Sequence, residues 1–138
     1  MSSRIEEIEA RIAARKEKHE AGKLAQYEQD LEALDQLEAA YGYGKVARVN
    51  LNTWVDGFPT FVVVRAPKPI EFKRYQDQLA DPKKHASAAA SALADVCVVY
   101  PEKDIWKSLC DELPAVRVMS GVAAVELSAA KAHAEGKG

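Results

Sequence analysis

The stretch DPKKHASAAASALADVCVVY, Asp81 to Tyr100, decides the fold. Asp81 can serve as an N-cap, and Pro82 suits the first helical position, where no backbone N–H is needed. Ala86, Ala89, Ala90, Leu93, Val96, Cys97 and Tyr100 then recur at helical spacing and form one apolar stripe. The first half of the stripe is alanine and serine, so neighbouring elements can approach its backbone closely. The second half, Val96 to Val99, is apolar nearly all round and implies burial. Pro101 disfavours a helical residue before it and should end the helix at Tyr100. The rest of the chain is expected to pack around this helix.

Upstream of it lie two strands. Val46–Val55 (VARVNLNTWV) and Phe58–Arg65 (FPTFVVVR) flank Asp56-Gly57, a favoured two-residue hairpin turn. Such a turn places Val55 opposite Phe58, Thr53 opposite Thr60, Leu51 opposite Val62 and Val49 opposite Val64, all on one face suited to the core. The other face carries Arg48, Asn50, Asn52 and Trp54 on one strand and Pro59, Phe61 and Val63 on the other. A hairpin alone is marginal in water, so this half-polar face needs a cover. Either Trp54 and the N-terminal helix cover Phe61 and Val63, or another chain does.

Before the strands, residues 4 to about 41 contain no proline and one glycine, Gly22, among good helix formers. Ile5, Ile8 and Ile12 make one apolar seam. Leu24, Tyr27, Leu31, Leu34 and Tyr41 make a second, in a different heptad phase, so one continuous coiled coil is not expected. The helix would be about 55 Å long and must project, fold back or pack on another chain. Gly42 is placed to end it in a left-handed conformation. The following Gly44-Lys45 is superficially like a phosphate loop but lacks the required spacing and the Ser or Thr after the lysine.

After the strands, Pro69, Pro82, Pro101 and Pro114 each open a helical segment. The expected fold class is therefore α+β: a long N-terminal helix, a β-hairpin, then a bundle of four short helices. The expected divisions are a helix over 1–42, read as a self-association or partner helix that could make the protein a homo-oligomer, a small α+β domain over 43–130 and a loose tail over 131–138.

Composition narrows the function classes. In 138 residues, 48% are apolar and 29% charged, enough for a core and a wetted surface. A net charge of −2, without a basic stripe interleaved with aromatics, argues against nucleic acid as a partner. No segment approaches the ~20 apolar residues of a membrane span, and the N-terminus lacks the apolar run of a secretory signal, so no membrane partner and a cytoplasmic location are expected. Cys97 and Cys110 are far apart and the three histidines are isolated, so the expectation is two free thiols and no metal site. No catalytic constellation and no cofactor motif stand out, which points to a binding protein rather than an enzyme.

From Phe61 onward the chain resembles the small tail assembly chaperones of tailed bacteriophages. The resemblance is carried by FVVVRAPKPIEFKRYQDQLADPKK, by CVVYPEKDIWKSLCDELPAV and by GVAAVELSAA. In such proteins a valine-rich strand leads into R-x-P-x-x-x-E-F/Y-K-R, then a helix ending VVYP, a short helix, a proline break and a final helix ending near E-L. The match covers about residues 59 to 130 and does not include the long N-terminal helix. It implies a non-enzymatic role in the bacterial host cytoplasm during virion assembly. That role is to bind the tape measure protein, keep its helices soluble and recruit tail tube subunits. A virion structural or adaptor protein that oligomerises through Ile5 to Tyr41 is the leading alternative, and a cellular scaffold module the next. The residues expected to bind partners are Leu24, Leu31 and Leu34 on the long helix, Trp54, Phe61 and Val63 on the hairpin, and Ile105 and Trp106 after it.

Overall fold

The computed structural model describes residues 2–135, and side chains from 3 to 128. Helix α1 (Ser2–Tyr41) leads into a sheet of β1 (Val46–Asn50), β2 (Phe61–Arg65) and β3 (Val98–Tyr100). Helices α2 (Pro69–Ala80) and α3 (Ala86–Cys97) lie between β2 and β3, and α4 (Lys103–Glu112) and α5 (Ala115–Glu135) follow. The sheet is antiparallel in the order β1-β2-β3. The α+β class holds, with four helices after the first two strands.

Three local expectations change. The VVY run is not the end of the central helix. The helix stops at Cys97, and Val98 and Tyr100 pair with Val64 and Val63 of β2. With Val96 to Val99 apolar on every side, a period of 3.6 and a period of 2 fit equally well, and β-branched residues beside an open strand edge favour the sheet. At the other end, Asp81 and Pro82 form a turn rather than a cap. The Lys83 N–H donates to Asp81 Oδ1 at 2.9 Å, and α3 begins only after His85. In the hairpin, finally, Asp56-Gly57 does close a tight turn, the Phe58 N–H donating to the Val55 carbonyl at 3.0 Å, but the strands stop pairing before they reach it. Val49 faces Val62, not Val64, and Asn50 and Phe61 are the last paired residues.

That slip is by two residues, so every side chain keeps its face. Val49, Val62 and Val64 meet Leu93, Ala94, Cys97, Trp106, Leu109, Val116 and Ala124 from α3, α4 and α5. Val46, Phe61 and Val63 form a second core under Tyr27, Leu34 and Leu37 of α1. The sheet is thus a middle layer, and α1 of the same chain supplies the cover its second face needed. Residues 22–41 of α1 belong to this packing, while α5 runs on to Glu135 through most of the segment expected to be loose. The remainder of that segment, 136–138, lies outside the described residues. Gly42 ends α1 at φ 105, its N–H donating to the Glu38 carbonyl at 2.8 Å.

The central helix and α5 pack at backbone distance. Ala89, Ala90 and Ala94 are buried, and a Cβ on Gly121 would fall 1.9 Å from the Ala90 carbonyl oxygen. The small residues of the central helix are therefore used as its sequence suggests.

Candidate functional site

Only part of the expected partner surface is accessible. Phe61 and Val63 are fully buried beneath α1, which corrects the expectation that the second face of the hairpin could be free. Trp54 is buried as well. Its indole N–H donates to the Phe58 carbonyl at 2.7 Å, and its ring lies against Gly22 and 5.0 Å from the His19 ring. Trp106 is a core residue whose N–H donates to Asp95 Oδ1 at 3.2 Å. Each tryptophan buries its apolar body and satisfies its one donor within the chain, as a core aromatic must. Leu34 is half-buried in the second core. Leu24, Leu31 and Ile105 remain exposed, on two separate elements.

Three polar clusters tie the elements together. Asp30 is fully buried on the inner face of α1. Its carboxylate accepts from Gln26 Nε2 (2.9 Å), from the Thr60 N–H (2.7 Å) and Oγ1 (2.6 Å), and from the Tyr100 hydroxyl. Burial, followed by the bond to Asp30, pushes the Tyr100 hydroxyl well above the ordinary phenol range. The sequence carried a signal for this cluster: an acid on the same helical face as Tyr27 and Leu34. In the second cluster, Arg65 grips Glu71 through two bonds of 2.8 and 2.9 Å and also donates to the Val96 carbonyl at 2.9 Å. The Arg65 bond, aided by the Lys68 N–H at 2.8 Å, brings the Glu71 carboxyl down to about 2. In the third, Arg117 pairs with Asp95 beside Trp106.

Both thiols are free, and burial pushes Cys97 and Cys110 up to about 11, which keeps them protonated at neutral pH. Among the described residues no three His, Cys, Asp or Glu are grouped to hold a metal ion, and no helix is long and apolar enough to cross a membrane.

The surface that stands out is the outer half of α1. Every residue from Ser3 to Ala21 is exposed, and contact with the domain begins at His19, whose ring lies 5.0 Å from that of Trp54. At 1.5 Å per residue the part before His19 extends about 24 Å beyond the rest of the fold. It carries Ile5, Ile8 and Ile12 at 60, 37 and 52% exposure. In a helix with 3.6 residues per turn, Asp30 follows Ile12 by about five whole turns, and Gln26 follows Ile8 likewise. The isoleucine seam therefore lies on the face that packs on the sheet further along, and continues it past the edge of the domain.

Compared with protein families, curated proteins and solved structures, the chain matches none.

Proposed function

We propose that the protein is a non-catalytic tail assembly chaperone, one that binds the tape measure protein and recruits tail tube subunits in the host cytoplasm. Two things support this reading: the resemblance of residues 59–130 to such chaperones, and the arm. The observation that carries it is the exposed isoleucine seam on a helix anchored rigidly by Asp30, Phe61 and Val63. A protein that keeps long apolar helices in solution needs accessible apolar surface of its own, held where a client can reach it.

The test is co-expression of the full chain with a phage tape measure protein. Co-purification, with more of the tape measure protein soluble than when it is expressed alone, is the expected result. Folded protein that recovers no tape measure protein overturns the reading. If the chain is instead found in purified particles, the virion adaptor reading replaces it, since a projecting helix also suits a permanent contact.

A further inference from the structure

We infer that the arm of α1 binds an amphipathic helix with acidic flanks, contributed by a different protein, and that it does not pair with a second copy of itself. With Ile5 and Ile12 at the a positions of a heptad and Ile8 at d, the residues bordering the seam are fixed by spacing. Arg4, Arg11 and Lys18 fall at g, and Glu9, Lys16 and Lys23 at e. Five of these six flanking positions are basic, and all six are exposed. The acids Glu6, Glu7, Glu17 and Glu20 fall at b, c and f, away from the seam. The charges are thus sorted by face in a chain whose net charge is −2.

This sorting decides the occupant. Two parallel copies would set Arg11 against Lys16 and Lys18 against Lys23, with Arg4 and Glu9 the single favourable pair. Two antiparallel copies would set the Arg4, Arg11, Lys18 flank against itself. Like charges across e and g positions are the ordinary means of rejecting a wrong partner. A helix with Glu or Asp at its own flanking positions meets attraction in either direction. Anionic lipid would also attract the basic flanks. However, the apolar face is one narrow stripe of isoleucine without the Trp, Phe and Leu breadth of helices that lie in a bilayer surface. The seam also runs in line with the stripe that packs on the sheet; Arg15 takes the d position after Ile12, so the apolar part of the arm is Ile5, Ile8 and Ile12, about two turns before the His19–Trp54 contact. A partner helix laid along it would continue the existing packing and abut the Trp54 loop.

The inference stands independently of the tail-assembly reading, because it concerns the chemistry of the partner and not its identity. It is tested with the full chain and two labelled three-heptad helical peptides. Both carry Ile and Leu at a and d; one has Glu at all e and g positions and the other Lys. Fluorescence anisotropy should show the Glu peptide binding at least about tenfold more tightly than the Lys peptide, with the preference shrinking in high salt. Ile8→Asp should abolish binding, and Arg11→Glu with Lys18→Glu, which leaves three basic and three acidic flanking positions, should erase the preference. These residues are exposed, so helicity and melting temperature should match wild type.

Equal binding of the two peptides, or binding untouched by Ile8→Asp, overturns the inference. So does self-association of the full chain in sedimentation that Ile8→Asp abolishes. Adsorption to phosphatidylserine vesicles without binding of the Glu peptide also overturns it, in favour of a membrane.

Discussion

Asp30 sits on the apolar stripe of α1, where a carboxylate without a cation is costly unless donors surround it. Here Gln26, Thr60 and Tyr100 supply four donors, and they reach it from α1, from the approach to β2 and from the end of β3. Asp30→Ala would strand the buried Thr60 N–H and the Tyr100 hydroxyl. The expected cost is about 3 kcal/mol or more, read from urea unfolding; a loss below about 1 kcal/mol would show that water replaces the carboxylate freely. Glu71 makes a different kind of prediction, because its charge is linked to folding. Its carboxyl titrates near 2 in the folded chain against an ordinary 4.5. A depressed carboxylate stabilises the fold fully above its unfolded value and loses that contribution as pH falls through the window from 4.5 toward 2. Glu71→Gln should therefore cost about 1 to 2 kcal/mol at neutral pH and flatten the acid limb of stability across that window. An unchanged acid limb would mean that other carboxylates dominate it.

Among the elements, the pairing of α3 with α5 is the tightest and the most legible. The run of alanine and serine over Ala86 to Ala92 says that something approaches closely, and Gly121 is what does. The atoms a Cβ at Gly121 would meet are the carbonyl oxygen, carbonyl carbon and Cα of Ala90, all backbone. Gly121→Ala should therefore push the helices apart and cost about 2–4 kcal/mol, seen as a lower melting temperature. Adding Ala90→Gly should not restore it, because the obstructing atoms remain; full rescue would show that side chains set the spacing. The strand readings were less legible, for physical reasons. Alternation gave the correct faces for Val49, Val62, Val64, Phe61 and Val63, because a slip of two residues preserves them. Register depended on pairing running unbroken from the Asp56-Gly57 turn, which closes with the Phe58 N–H on the Val55 carbonyl but is not continued by the strands. The strands part earlier because Pro59 has no N–H to pair and the Thr60 N–H is drawn to Asp30. Trp54, meanwhile, turns in against Gly22. Likewise Val98 to Tyr100 could join a helix or a sheet, and only the presence of β2 beside them decides.

At the scale of the whole molecule, the division of α1 into a docked half and a free half was the part that one dimension hid. Two apolar seams are visible in the sequence, but nothing local says which of them the sheet covers. Large aromatics are similarly ambiguous, since Trp54 and Trp106 read as anchors for a partner and are buried in the core. The three-dimensional arrangement instead separates two roles on one helix, and truncation should separate them in solution. Removing residues 1–18, of which 3–18 are all exposed, keeps the His19–Trp54 contact and should leave the melting temperature within a few degrees of wild type. Removing residues 1–42 uncovers Val46, Phe61 and Val63 and deletes Asp30. Three buried apolar side chains at roughly 1.5–3 kcal/mol each rival the total stability of a small domain, so this shorter chain should be insoluble or unfolded. Circular dichroism on both truncations makes the comparison. A cooperative, near wild-type transition for the chain beginning at Tyr43 would mean that the sheet is held by α3 and α5 alone and that all of α1 is an appendage. Loss of folding in the shorter deletion would mean that the arm stabilises the domain, and its isoleucines would then no longer be a surface held ready for another protein.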